Sequence, residues 1–277
     1  MKILFIVNTA KESACRCAER AEEILTREGA ICRHCAASAF GGPFAEQAEQ
    51  LLQDCDLAIT IGGDGTLLHA AAQAARCEKP VLGINVGRLG FLATVEEGEL
   101  EQLSRLVRGE YVLDRRMMLS ARIEGSTVYR SDALNDVVVS KGARTNTIRF
   151  EIYCDGTLVN SYRGDGVIVA TPTGSTAYSL SAGGPILDAR IGGILVTPIC
   201  PHSLNTPPMV FSADRSLRIV TSEQEEGGAY LSTDGRDYIA LGQKDEILIG
   251  LSDKNLSLVS FFEADQFRAI DKKLKGR

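Results

Sequence analysis

Three glycines, one carboxylate and a threonine, Gly62-Gly63-Asp64-Gly65-Thr66, stand between two runs of opposite character, and they constrain the fold more than any other stretch. Before them, Leu57-Ala58-Ile59-Thr60-Ile61 is short, aliphatic and β-branched, the composition of a buried strand. After them, Leu67 to Ala75 is rich in good helix formers. The glycines therefore mark a strand-to-helix turn. Glycine lets a backbone come close to a ligand, and the free amides of a helix N-terminus attract phosphate. A carboxylate is out of place in a plain phosphate cradle, because it repels the anion. It fits if Asp64 touches a hydroxyl or a metal beside the phosphates. The plainer alternative is a glycine turn with Asp64 as an ordinary helix N-cap.

Strand and helix alternate through the first hundred residues. Residues 2–7 read as a strand and 12–28 as an amphipathic helix stopped by Gly29. A helix over 44–53 with Phe44 inward, strand 57–61, helix 66–76, strand 80–84 and a helix around 100–107 follow. This alternation predicts a parallel sheet with helices on both faces, whose ligands bind beyond the carboxyl ends of the strands. From about residue 111 the texture changes to short segments rich in Val, Ile, Thr, Tyr and Phe between turn residues. Segments 116–123, 127–131, 134–140, 147–154, 157–162, 166–171, 194–198, 216–221, 229–233, 246–250 and 256–262 read as strands. Cys154-Asp155-Gly156-Thr157 is a hairpin turn. The fold expected is α/β plus all-β: a Rossmann-like parallel-sheet domain over 1–113, then a mostly antiparallel β-sandwich over 114–262. Residues 263–277 are expected as a short helix returning to the first domain.

Composition excludes several function classes. The net charge is −6, with no basic cluster before Lys272-Lys273-Leu274-Lys275, which argues against a nucleic-acid partner. No apolar run reaches membrane-spanning length and no secretory leader is evident, so a cytoplasmic protein without a membrane partner is expected. The eight cysteines include Cys15-Arg16-Cys17 and Cys32-Arg33-His34-Cys35, spacings that invite a zinc reading. Residues 15 and 17 project in different directions on a helix, and Cys55, Cys77, Cys154 and Cys200 lie scattered in apolar segments. Reduced structural thiols are the expectation.

Two further stretches carry chemistry. Thr171-Pro172-Thr173-Gly174-Ser175-Thr176-Ala177-Tyr178 follows an apolar strand and packs four hydroxyls and an aromatic around one glycine, with a helix expected to open at Ser175. Small hydroxyls offer donors to a sugar or phosphate, and Tyr178 can stack on a base. A helix cap needs one hydroxyl, so their density favours a ligand site over a cap. Asn135-Asp136, between apolar strand segments, couples an amide able to read adenine with a carboxylate able to hold ribose hydroxyls, or forms an ordinary Asx turn.

Together these residues resemble the NAD kinase family. The match runs in order through Gly62 to Thr66, Gly83-Ile84-Asn85, Leu89-Gly90-Phe91-Leu92, Asn135-Asp136, Gly164-Asp165-Gly166, Thr171 to Tyr178, Gly183 to Ile186, Pro198 to Leu204, and Asp234-Gly235. The glycine turn is shared with diacylglycerol kinases and, more loosely, phosphofructokinases. The stretches at 171–178 and 201–204 narrow the resemblance to NAD kinases. It implies phosphorylation of the adenosine-ribose 2′-hydroxyl of NAD by ATP, with Mg²⁺ on the phosphates and Asp64 as general base. It implies NAD contacts at Asp64, Gly65, Phe91, Asn135, Asp136, Arg163, Asp165, Thr173, Thr176, Ala177, Tyr178 and Ser181, with His69 and Asn146 near further contact positions. Gly62, Gly63, Gly65 and Thr66 would face phosphate. A homodimer or homotetramer is implied, since part of the set can come from a neighbouring copy.

This chain departs from the usual pattern at three places. Asp136 stands where the family usually has Glu, shortening the reach by one bond, roughly 1.5 Å. Arg236 stands where Gln is usual, offering a cation to a phosphate. Thr206-Pro207-Pro208 replaces an Arg before proline. Two other functions are carried beside the first: a lipid kinase of the diacylglycerol type, and a silent sensor that keeps the NAD pocket.

Overall fold

The computed structural model describes residues 1–41, 45–87, 90–125, 127–142, 147–203, 205–222, 228–242, 244–262 and 270–271. Phe44 and nearly all of the terminal segment 263–277 fall outside the described residues. The chain forms two compact units, Met1–Arg116 with Asn255–Arg277, and Met117–Lys254.

In the first unit, β1 (Lys2–Val7), β2 (Ile31–Ala36), β3 (Leu57–Gly62) and β4 (Val81–Asn85) lie in the order β4-β3-β1-β2, all parallel. The last part of the chain adds a further parallel pairing, Leu258 beside Val81. β1, β3 and β4 are buried along nearly their whole length, which is why they read as unbroken apolar runs. The helix α1 (Glu12–Arg27) lays Ala14, Cys17, Ala18, Ala21 and Leu25 into one core with Ile3, Phe5, Ile59 and Ile61. α3 (Asp64–Arg76) covers the opposite face, where a side chain at Gly83 would touch Leu67. α2 (Ala45–Gln53) buries Ala48 and Leu52. The expected helix near 100–107 is instead a 3₁₀ turn over Glu97–Leu103 running into one α turn, α4 (Ser104–Val107).

β2 escaped the sequence reading. Its residues Ile-Cys-Arg-His-Cys-Ala carry no apolar alternation because it is an edge strand, paired only through β1. As a strand it sends Cys32 and Cys35 to opposite faces, so the two thiols do not converge.

After the two-residue β5 (Val95–Glu96) come β6 (Val112–Glu124), β7 (Tyr129–Ala133), β8 (Asp136–Lys141), β9 (Ile148–Cys154), β10 (Thr157–Gly164), β11 (Gly166–Ala170), β12 (Gly193–Ile199), β13 (Met209–Ser212), β14 (Leu217–Ser222), β15 (Ala229–Thr233), β16 (Arg236–Ala240) and β17 (Glu246–Ser260), which build the second unit except for the first residues of β6 and the last of β17. One antiparallel sheet has the order β13-β12-β11-β8-β15-β16. The other runs β10-β9-β14-β17, with β6 beside β17 and β7 beside β6. Alternate residues of both, such as Val137, Val139, Val167 and Val169 against Phe150, Ile152, Ile219 and Ile247, form one core. The outer face of β8 and β11 is also apolar, and Ala182 and Leu187 pack on Val138, Ile168 and Leu195.

The hairpin at Asp155-Gly156 forms, with both residues at positive φ (47° and 82°). Asp234-Gly235, at 50° and 67°, makes the same kind of turn between β15 and β16. The sequence reading gave no strand at 236–240, although this dipeptide is a hairpin signal. β17 is also one strand where two were expected: the polar Ser252-Asp253-Lys254 looks like a break but continues it.

Candidate active site

The order β4-β3-β1-β2 reverses direction between β1 and β3, and the carboxyl ends of these two strands are where an open sheet leaves a crevice. An open cleft of about 480 Å³ lies there, lined by Asn8 and Lys11 after β1, Ala37 and Ser38 after β2, and Gly63, Gly65, Thr66 and His69 at the start of α3. Of the expected residues, Gly63, Gly65, Thr66 and His69 line this cleft. Gly62 sits behind it, where any side chain would run into the Thr66 hydroxyl. The sequence reading missed Asn8, Lys11 and Ser38, which only strand order brings to the turn.

α3 begins at Asp64, two residues earlier than expected, and Gly63 is its N-cap. The Gly63 N–H donates to Thr66 Oγ1 at 3.4 Å, so the helix is closed without Asp64. The N-cap reading of Asp64 is thereby removed. Its carboxylate instead accepts from three successive amides, Phe91 N at 2.7 Å, Leu92 N at 3.1 Å and Ala93 N at 3.3 Å. Gly90 permits this approach, since a methyl there would collide with the Asp64 carboxylate. Phe91, an NAD contact by the family resemblance, is half-buried, and its amide anchors Asp64.

In the second unit the chain at 134–136, which leads into β8, is met by the segment at 171–174. Asn135 and Asp136 are both buried. Thr171 donates its hydroxyl to Leu134 O at 2.6 Å and accepts from Gly174 N at 3.0 Å, while its own amide donates to Asn135 O. Gly174 lies so close that a side chain would enter the Asn135 carbonyl. The hydroxyl density at 171–176 therefore has a local use. Ser175 bonds Pro172 O at 2.6 Å and Thr176 bonds Thr173 O at 3.2 Å. The rule of one hydroxyl per cap undercounted, because this segment turns twice: a 3₁₀ turn over Gly174–Thr176, then α5 (Tyr178–Ser181), instead of one helix opening at Ser175. Thr173 and Thr176 are buried, Ala177 is half-buried, and Tyr178 and Ser181 are open to solvent, Tyr178 at 47%.

Asp136 is 5% exposed and its acid dissociation is pushed up to about 7, by burial first and then by the nearby Asp234. Asp234 was absent from the sequence-derived site residues, yet it receives the amides of Leu134, Asn135 and Asp136 at 2.9, 2.7 and 3.2 Å. Arg236 does not stand free for a phosphate: it pairs with Asp234 at 3.6 Å and donates to Asp132 O at 3.2 Å. Arg163 is exposed and reaches Thr147 O, and Asp165 pairs with Lys141 at 3.0 Å. Asn146 lies outside the described residues.

Residues 3–111 match the family model described as the ATP-NAD kinase N-terminal domain, and residues 134–261 match the ATP-NAD kinase C-terminal domain. The NAD kinase of Symbiobacterium thermophilum is 40% identical over 283 residues, covering 99% of each chain. That of Pseudomonas fluorescens is 40% identical over 223 residues, 79% of this chain and 75% of the other. Among solved structures, yeast NADH kinase complexed with NADH gives a TM-score of 0.85 at 26% identity, covering 99% of this chain and 87% of that one. An NAD kinase from Archaeoglobus fulgidus in complex with ATP gives 0.82 at 27% identity over 100% of both. The two family models match in sequence order and cover most of the chain, which therefore belongs to the ATP-NAD kinase family.

Proposed function

We propose that this kinase moves the terminal phosphoryl group of ATP to the 2′-hydroxyl of the adenosine ribose of NAD, with Asp64 taking the hydroxyl proton. The observation that carries the reading is the Asp64 carboxylate, held by three amides at the first residue of α3 and not spent on capping it. A base so oriented contributes about 10²–10⁴-fold to the rate. The rest comes from holding the phosphates and offsetting their charge. Lys11, the amide at Gly65, and Thr66, lining one cleft, suit that task.

Asn135 and Asp136 are assigned to adenine and ribose, and Tyr178 to stacking on a base. Thr173, Thr176, Ala177, Ser181, Arg163 and Asp165 complete the NAD contacts. Among the described residues no three His, Cys, Asp or Glu side chains converge as a metal cage. A divalent ion fits this chain as a passenger on the ATP phosphates, where Mg²⁺ keeps most of its water and needs few protein ligands. The working form is proposed to be a cytoplasmic homodimer or homotetramer, which sedimentation of the purified protein tests.

The deciding experiment incubates wild type and Asp64→Asn with NAD, ATP and Mg²⁺ and reads NADP with an NADP-specific dehydrogenase. Turnover by the wild type alone, with NAD binding by calorimetry kept in the variant, is expected. Equal turnover by both proteins would remove Asp64 as the base.

A further inference from the structure

Asp234 sits at the turn between β15 and β16, and its side chain has no exposed surface. A lone buried carboxylate is strongly unfavourable, so its partners state what it is for. Three of them are the successive N–H groups of Leu134, Asn135 and Asp136. Three consecutive amides turned toward one point form a concave nest of the kind that binds anions, and here a side chain of the same unit fills it. The contact is reciprocal, since Asp234 N donates to Asp136 O at 2.9 Å. On the other side of Asp234, Arg236 (14% side-chain exposure) supplies the counter-charge and is itself tied to Asp132 O. The curl of the backbone at 134–136 sets where the side chains of Asn135 and Asp136 point. Asn135 Oδ1 is buried there with no hydrogen-bond partner among the described residues, an acceptor left for a ligand.

We infer that Asp234 and Arg236 are positioning residues for NAD: Asp234 holds the 134–136 turn in its binding shape, and Arg236 holds Asp234. The inference rests on the assignment of Asn135 and Asp136 to NAD, and it gives Arg236 a task other than meeting a phosphate. The groups around Asp136 are few. Asp234 faces it from the β15–β16 turn with Arg236 behind, and Asp132 on β7 is bonded to the Ser252 hydroxyl. Lys141 on β8 is paired with Asp165, and the 171–176 segment brings only hydroxyls. Asp234 raises the pH at which Asp136 ionises, and Arg236 offsets the charge of Asp234.

The test compares wild type, Asp234→Asn, Arg236→Gln and Arg236→Lys for NAD kinetics across pH. KM for NAD should rise by about tenfold in Asp234→Asn and Arg236→Gln, the scale of a lost bond to a charged group, while kcat changes little. Arg236→Lys should recover most of the affinity. The midpoint of kcat/KM against pH should move down in Asp234→Asn, which removes a negative neighbour. It should move up in Arg236→Gln, which removes the offsetting cation. A general loss of structure does not move the two midpoints in opposite directions. Unchanged KM in folded variants, or midpoints moving the same way, would overturn the inference. If Asp234→Asn does not fold, the Arg236 pair decides: a KM and midpoint raised in Arg236→Gln and restored in Arg236→Lys support the inference, and an unchanged KM or a midpoint that does not rise overturns it. No NADP from the wild type would strike the underlying kinase reading and not this one alone.

Discussion

Asp64 is held by amides 27 to 29 residues away in sequence, so its position depends on how closely the chain at 90–93 approaches α3. Gly90 sets that approach. The backbone there is not in a left-handed conformation, so alanine is tolerated locally and its methyl acts only by displacing the Asp64 carboxylate. Gly90→Ala should therefore cut kcat by about 10²-fold, the cost of a base misplaced by about 1 Å, with NAD affinity kept within about threefold. Steady-state kinetics beside calorimetry checks this. A kcat near that of wild type would mean that the carboxylate recovers its place by another route.

At the scale of elements, the turn leading into β8 is braced by two segments far off in sequence, 171–174 through Thr171 and Gly174, and the β15–β16 hairpin through Asp234. That bracing buries Asp136, and burial has a pH signature. An acid whose folded dissociation lies near 7 against an ordinary value of 3.8 holds its proton more tightly folded than unfolded. Its contribution is then fully present below about 4 and is lost as pH rises through about 7. At about 1.4 kcal/mol per unit, the charged form costs up to about 4 kcal/mol at pH 8. Asp136→Asn should raise the melting temperature at pH 8 and leave it nearly unchanged at pH 4, while weakening NAD. Parallel melts at the two pH values check the sign, and a variant less stable at pH 8 would refute it.

At the scale of the whole molecule, the eight cysteines are free thiols spread through both units. Burial pushes the Cys17 thiol up to about 11, whereas Cys200 is exposed. A thiol reagent should modify Cys200 first in the native protein and titrate all eight only in denaturant, with no change in melting temperature on adding a reductant. Early reaction of Cys17 would mean that the packing of α1 opens readily. No helix among the described residues is long and apolar enough to cross a membrane.

Much of this molecule was legible in the amino-acid sequence, for local reasons. Fully buried strands read as apolar runs, half-buried ones as alternation, and glycine pairs with a carboxylate marked the turn at 62–66. Edge strand β2 and hairpin strand β16 were lost because exposed positions carry no periodic signal. The sequence by itself singled out the residues to which the proposed function assigns chemistry: Asp64, Asn135, Asp136 and the segment 171–178. Only the tertiary structure decided what each does to its neighbours. It placed Asp64 against amides and not on its own helix cap, gave the hydroxyls of Thr171, Ser175 and Thr176 backbone carbonyls to bond, and turned Arg236 onto Asp234. The physical reason is that a hydrogen bond or a buried charge is settled by which groups meet in space: the amides on Asp64 lie 27 to 29 residues away and those on Asp234 lie 98 to 100 away, where no local pattern records them.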